Sequence, residues 1–365
     1  MTIAEITSHL HEMAPASLQE SYDNTGLLVG DAGALCTGIL VSLDVTEEIV
    51  QEAIDRNCNL VVAHHPIIFS GLKKITGSNY VERTVMGAIR NHVAIFAIHT
   101  NLDNMSEGVN KMIAAKLKLT ETRVLVPRSA TLLKLVTFVP HDHAGQVQKA
   151  MFDAGAGNVG NYSECSFSVK GEGSYKPGAG SNPAIGQQGS RHVEPETRVE
   201  VLLPAHLEHK VLASLRANHP YEEVAYYLQE LKNTRSDRGS GLIGNLPGPM
   251  TETELLDHLK TAFHIPVIRH SPLLQHKVHK IALCGGAGSF LVANAKAAGA
   301  QVYITADMKY HEFFDADGQI VIADIGHYES EQFTINLLTE FLQQKLPNFA
   351  VLKTEINTNP VRYYS

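Results

Sequence analysis

Three apolar runs in this chain stop at residues able to hold a metal. Leu60-Val61-Val62-Ala63 runs into His64-His65-Pro66, Val93-Ala94-Ile95-Phe96-Ala97-Ile98 into His99-Thr100-Asn101-Leu102-Asp103, and Ile320-Val321-Ile322-Ala323-Asp324-Ile325 into Gly326-His327-Tyr328-Glu329-Ser330-Glu331. Neutral imidazole is the commonest nitrogen ligand of protein-bound metals, and carboxylates add charge and can bridge two ions. His64 and His65 are neighbours, so in an extended segment their side chains are expected on opposite sides. One ion cannot easily take both; two ions close together can. Pro66 is expected to end the strand.

Asp103 follows the second run, in an expected loop with Asn101 and Asn104. His327 and Glu331 stand four residues apart around an expected helix start, with Phe333, Leu337, Leu338 and Phe341 as the apolar face behind it. If the helix begins early, the two share one face. If Ser330 caps it, Glu331 lies in the first turn, where the helix dipole favours its charge. Either geometry lets both reach one centre.

A single His-His-Pro reads as a surface or capping pair, and 19 histidines scatter some near strand ends by chance. Their coincidence with carboxylates at three strand ends favours a metal centre. His99 reads as a ligand or, in preference, as a residue that orients Asp103 from behind. Asp307 and His311 are candidates for proton transfer or substrate contact, against plain loop polarity. Gly285-Gly286-Ala287-Gly288, read as a tight turn before a helix, would suit an anion, but lacks the P-loop lysine and the dinucleotide fingerprint. There is no GxSxG elbow and no convincing Cys–His pair.

The elements that must position these residues follow from periodicity. Short β-branched runs read as buried parallel strands, and open α/β sheets gather ligands beyond the carboxyl ends of such strands. Thr2 and Glu5 make a capping box for a helix burying Ile3, Ile6, Leu10 and Met13 before Pro15. Asp23-Asn24-Thr25-Gly26 reads as a turn. A strand over 38–43, a helix over 46–57 and the strand ending at His64 follow. The far end repeats this order, with a strand over 280–284, a helix over 289–298 closed by Gly299, and a strand over 301–304. If this is duplication, a pseudo-twofold axis would let both halves furnish one composite site.

Between the halves the order βαββαβ reads as a ferredoxin-like unit, inserted where a surface loop tolerates it. Thr234–Gly241 reads as its exit linker. The expected fold class is therefore α/β: a two-half α/β core of related strand–helix–strand units with mixed sheets, carrying an inserted ferredoxin-like α+β domain. The expected divisions are 1–128, 129–239 and 240–365.

Composition narrows the function classes. The chain has 365 residues, enough for two or three domains, with 44% hydrophobic and 19% charged residues, as in globular proteins. A formal charge of -8 and the absence of a Lys/Arg run argue against direct nucleic-acid binding. Cys36, Cys58, Cys165 and Cys284 form no CxxC pair, so neither a disulfide framework nor a cysteine zinc site is expected. With no signal-peptide pattern at the N-terminus and no membrane-spanning run, a cytoplasmic location is expected.

Together, Ala63-His64-His65-Pro66, His99-Thr100-Asn101-Leu102-Asp103 and Gly326-His327-Tyr328-Glu329-Ser330-Glu331 resemble the motifs of the NGG-interacting-factor-like family, whose bacterial members are labelled type 2 homologues of GTP cyclohydrolase I. Asp23-Asn24-Thr25-Gly26-Leu27-Leu28-Val29-Gly30 and Ser42-Leu43-Asp44-Val45-Thr46 resemble its N-terminal signatures, so the likeness spans essentially the whole chain. Gly155–Tyr162 and His219-Pro220-Tyr221-Glu222-Glu223 resemble the insert of longer members, similar in fold to PII and CutA proteins. The resemblance implies a toroidal homohexamer and two divalent ions per subunit. His64 and Asp103 would hold one ion, His65 and His327 the other, and Glu331 would bridge them. Thr305-Ala306-Asp307 departs from the family pattern, with Ala where a glycine is expected.

The leading expectation is a dinuclear metal-dependent hydrolase acting on a nucleotide-like small molecule, with GTP ring opening as the named candidate. The ligand set suits zinc, iron or manganese. One rival is a non-catalytic metal-binding regulatory or scaffold protein that uses the PII-like insert for effectors or partners. Another is a transcription-related adaptor, which the acidic charge disfavours.

Overall fold

The apolar runs that end in histidine or carboxylate are buried strands in a computed structural model that describes residues 1–129 and 132–364. The chain forms two units, Met1–Pro127 with Ser236–Ser365, and Arg128–Arg235.

In the first unit the chain begins with α1 (Ile3–Met13), capped reciprocally by Thr2 and Glu5 and burying Ile3, Ile6 and Leu10. Next come β1 (Gly26–Val29), β2 (Ile39–Ser42), α2 (Glu47–Asp55), β3 (Leu60–Ala63), α3 (Tyr80–Arg90) and β4 (Ala94–Ala97). A short α4 (Thr100–Asp103), α5 (Val109–Lys116) and β5 (Thr120–Pro127) close this stretch. β2, β3 and β4 run parallel and are buried at every residue, which explains their unbroken apolar character.

The second unit is β6 (Leu132–Pro140), α6 (Ala144–Asp153), β7 (Ser166–Tyr175), β8 (His192–Pro204), α7 (Glu208–Asn218) and β9 (Tyr226–Glu230). Its antiparallel sheet has the order β7-β8-β6-β9, the ferredoxin-like arrangement. Leu135, Val147, Met151, Leu203 and Leu215 pack its core.

The first unit resumes with β10 (Gly239–Thr251), α8 (Glu252–Phe263), β11 (Arg269–His270), β12 (Lys277–Ala287), α9 (Val292–Ala297), β13 (Val302–Ala306) and β14 (Val321–Asp324). It ends with α10 (His327–Glu331), α11 (Thr334–Lys345) and β15 (Val351–Lys353). Its two sheets have the orders β1-β4-β3-β2-β15 and β11-β14-β13-β12-β10-β5. Each contains three parallel strands in matching order, β4-β3-β2 and β14-β13-β12, with an antiparallel strand, β1 or β11, outside the first named of them. The core is therefore α/β with two mixed sheets of related topology.

Three local expectations change. The segment after His99 is helical rather than a loop, because Thr100 donates from its backbone and hydroxyl to Asp23 while Asn101 Nδ2 donates to Ala14 O. The exit linker is shorter than expected. Ser106 N donates to Asp237 O, and Gly239 and Ser240 already pair with Pro127 and Val126. Finally, Gly285, Gly286 and Ala287 extend β12 instead of turning. No helix among the described residues is long and apolar enough to cross a membrane.

Candidate metal centre

All five residues read as ligands, His64, His65, Asp103, His327 and Glu331, belong to the first unit, and the structure brings them together. β3 stops at Ala63 and the chain bends through His64 and His65. Strand alternation therefore ends before the two histidines. Their rings do not splay to opposite sides but lie 4.9 Å apart, centre to centre. The carboxyl end of β4 delivers His99 and, one helical turn later, Asp103. β14 delivers α10, whose helix starts at His327, so His327 and Glu331 share a face.

Glu331 sits between two groups of donors. Its Oε2 lies 2.9 Å from His65 Nε2 and 3.1 Å from His327 Nε2, which are themselves 3.3 Å apart. Its Oε1 lies 3.9 Å from His64 Nε2, and Asp103 Oδ1 is 3.6 Å from the same nitrogen. Gly286 makes room for this carboxylate. It holds a φ of 62°, and a Cβ there would collide with Glu331 Oε1 and come within 3.5 Å of His327 Cε1.

Behind the site, each imidazole is fixed through its Nδ1–H. His64 donates to Ile98 O at 2.8 Å, His65 to Asp44 Oδ1 at 2.8 Å, His327 to Asp307 Oδ2 at 2.7 Å, and His99 to Asp23 Oδ1 at 2.8 Å. This tautomer leaves the Nε2 lone pair for a ligand, the arrangement that metal-binding histidines use. His99, expected behind Asp103, is instead held by Asp23. It also comes close enough to His64 and His65 to form a third donor group with them.

The electrostatics follow from crowding charges in a buried place. Burial opposes charge on Glu331, yet the His327 charge and the close approach of His327 and His65 hold its carboxyl well below the usual range. Burial, then the Glu331 charge, pushes Asp103 up to about 7. Burial disfavours protonated His65 and His327, but the neighbouring carboxylates raise them to about 9 and about 11. Protons are thus drawn to the Nε2 atoms facing Glu331, as divalent cations would be. Burial and the same acid charges push the Cys284 thiol up, which keeps it neutral and a poor ligand.

Two atoms test whether a metal fits. His64 Nε2 and Asp103 Oδ1 are buried and have no hydrogen-bond partner among the described residues. An orphaned pair of this kind is costly unless something else satisfies it. The donors also group as a metal requires: His65, His327 and Glu331 form one set, His64, Asp103 and Glu331 another. The 3.3 Å between His65 and His327 Nε2 matches the roughly 3.3 Å edge of a tetrahedron with zinc–nitrogen bonds. The residues fit divalent metal.

Asp307 adopts a left-handed φ of 54° and turns its carboxylate onto His327, so it acts on the site through that ring. His311 is not brought in. It sits exposed on a short 3-10 helix (Tyr310–Ala316) with its ring against Tyr310 and Phe314, outside the lining of the cavity above the site. That cavity has a volume of about 720 Å³ and is bordered by Tyr22, Phe69, Arg269, Phe290, Tyr328 and Tyr363.

The sequence reading missed Asp44 as a partner of His65, although it follows β2, the neighbour of β3. The rule that found the other strand ends would have found it. Asp23 was read as a turn residue and as part of a signature segment, with no partner assigned to it. Asn110, which accepts from Gly285 N and donates to Asp103 O, carries no local signal.

The family described as Duf34/NIF3 (NGG1p interacting factor 3) matches residues 1–360. A relative from Halalkalibacterium halodurans, named GTP cyclohydrolase 1 type 2 homolog, is 38% identical over 356 residues, covering 96% of this chain and 95% of its own. A Bacillus subtilis relative of the same name is 34% identical, with 98% of each chain covered. A Bacillus cereus protein described as related to NIF3 has the same fold at a TM-score of 0.86 and 36% identity, covering 100% of this chain and 99% of its own.

Proposed function

Because this chain belongs to the Duf34/NIF3 family, we propose that it holds two divalent ions in one site and hydrolyses a small nucleotide-like molecule there. The observation that carries this reading is the buried, partnerless pair His64 Nε2 and Asp103 Oδ1, facing the carboxylate that His65 and His327 also approach. His64 and Asp103 would hold one ion and His65 and His327 the other, with Glu331 shared. When bound, divalent ions supply Lewis acidity and lower the proton affinity of water near neutral pH.

The chain's own residues do the rest. Asp44 and Asp307 keep His65 and His327 in the ligating tautomer. Glu331 balances cationic charge, and its burial keeps water from competing for it. Asp307 is partly exposed at the cavity, where it can also take a proton through its free edge. The aromatic residues around the opening suit a planar ring, and relatives bear the name GTP cyclohydrolase 1 type 2 homolog, which makes GTP the first substrate to test. The toroidal homohexamer implied by the resemblance belongs to the same reading, and sedimentation analysis tests it.

Metal-replete protein incubated with GTP and a panel of nucleotides and phosphoesters tests the activity. Turnover that disappears in Glu331→Gln supports it. If every compound stays intact while Glu331→Gln loses only its metal, the enzyme reading fails. The second reading, a metal-binding regulatory protein, draws on a separate cavity of about 720 Å³ within the ferredoxin-like unit, lined by Phe138, Tyr175, Glu196 and Tyr221 among others.

A further inference from the structure

We propose that Thr358 is a positioning residue of the metal centre, and that the C-terminal segment carrying it ties together the two halves that supply ligands. The proposal rests on the reading of the site as a metal centre. After β15 pairs in parallel with β2, the chain turns back over the cavity, and Asn359, Pro360, Val361 and Tyr363 line it. Side chains build that turn: Asn359 N donates to Asn357 Oδ1 at 2.9 Å, and Val361 N donates to Asn359 Oδ1 at 2.9 Å. The backbone is thereby set, with Thr358 half-buried and Asn359 buried.

Each of these two residues holds a different half of the site. Thr358 Oγ1 donates to Asp44 Oδ2 at 2.5 Å, while the other oxygen of Asp44 accepts from His65 Nδ1 at 2.8 Å. Asn359 Nδ2 donates to Glu329 Oε1 at 2.9 Å, and Glu329 stands between His327 and Glu331 on α10. One short segment thus grips the carboxylate behind an N-terminal ligand and the helix bearing two C-terminal ones.

The hydroxyl matters for a specific reason. A carboxylate anchored at both oxygens has one orientation, whereas one anchored only by an imidazole can rotate and let the ring swing. With Oδ2 held by the Thr358 hydroxyl, Oδ1 of Asp44 stays turned to accept from His65 Nδ1. That keeps the His65 proton on Nδ1 and its Nε2 lone pair turned towards Glu331.

The test uses the full chain with Thr358→Val, which keeps the shape but loses the donor, and Thr358→Ser, which keeps the donor. Zinc affinity is measured by competition with a chromophoric chelator, and thermal unfolding is followed on the chelator-stripped protein. The expected result is binding weakened about ten- to a hundredfold in Thr358→Val and restored to within about threefold of the parent in Thr358→Ser. Unfolding of the stripped Val variant should match the parent. Equal zinc binding by parent and Thr358→Val, equal weakening by Val and Ser, or parallel loss of stability in the stripped Val variant would each overturn the positioning role. The first of these leaves the metal centre standing. A parent that binds no zinc removes both.

Discussion

Glu331 places Oε2 2.9 Å from His65 Nε2 across 266 residues of chain, while its other oxygen faces His64 Nε2 at 3.9 Å. One buried carboxylate therefore addresses both donor sets. Glu331→Gln keeps its size and removes its charge. Calorimetric titration with zinc should find both binding steps lost or severely weakened. One step kept at parental affinity would show that the carboxylate is not shared.

The carboxylates behind the imidazoles set a second expectation. Asp44 and Asp307 have side chains 31% and 53% exposed, so exchanging each for Asn should leave the fold intact. Each exchange removes a charged acceptor from a histidine proposed as a ligand and should weaken metal binding about 10- to 100-fold. Chelator competition measures this, and unchanged affinity in both variants would contradict the role given to them.

Gly286 tests packing against chemistry. Its φ of 62° and the space taken by Glu331 Oε1 leave no place for a methyl group. Gly286→Ala should cost about 1–3 kcal/mol in denaturant unfolding and displace the carboxylate, with loss of metal. Gly248→Ala, where a Cβ would meet nothing within 4 Å, is the control and should be near neutral.

A pH dependence independent of the metal comes from Glu82. Backbone and side-chain donors from Ser78 and Thr76 hold its carboxyl at about 2. A carboxyl lowered by folding stabilises fully above its ordinary value and ceases to do so as pH falls through its folded value. The stability advantage of the parent over Glu82→Gln should therefore shrink between about pH 4.5 and about pH 2. A gap that stays constant across that window would show that the carboxylate charge contributes nothing.

Much of this site was legible because its candidate ligands sit at the ends of apolar runs. Buried parallel strands make such runs, and their carboxyl ends make such sites. The helix shared by His327 and Glu331 was one of two readings open from their spacing, and the glycine at 326, with a φ of 90°, starts it at His327. What stayed hidden depends on distant chain segments meeting. Asp23 meets His99, Asn110 meets Gly285 and Thr358 meets Asp44 across 76, 175 and 314 residues, and no periodicity records a hydrogen bond across the fold. The bend at His64 was hidden for a different reason, since an apolar run does not say at which residue its strand stops pairing. Asp307 was noticed for its type, but its left-handed backbone, which aims it at His327, left no mark in the residue pattern.

The central claim is that residues from both ends of the chain jointly grip a pair of cations. Elemental analysis of the parent, purified without chelator or added metal and set beside His65→Ala, measures this most directly. The account predicts close to two divalent ions per chain in the parent and a clear loss in the variant. A parent with none, or a variant that keeps the full complement, would contradict it.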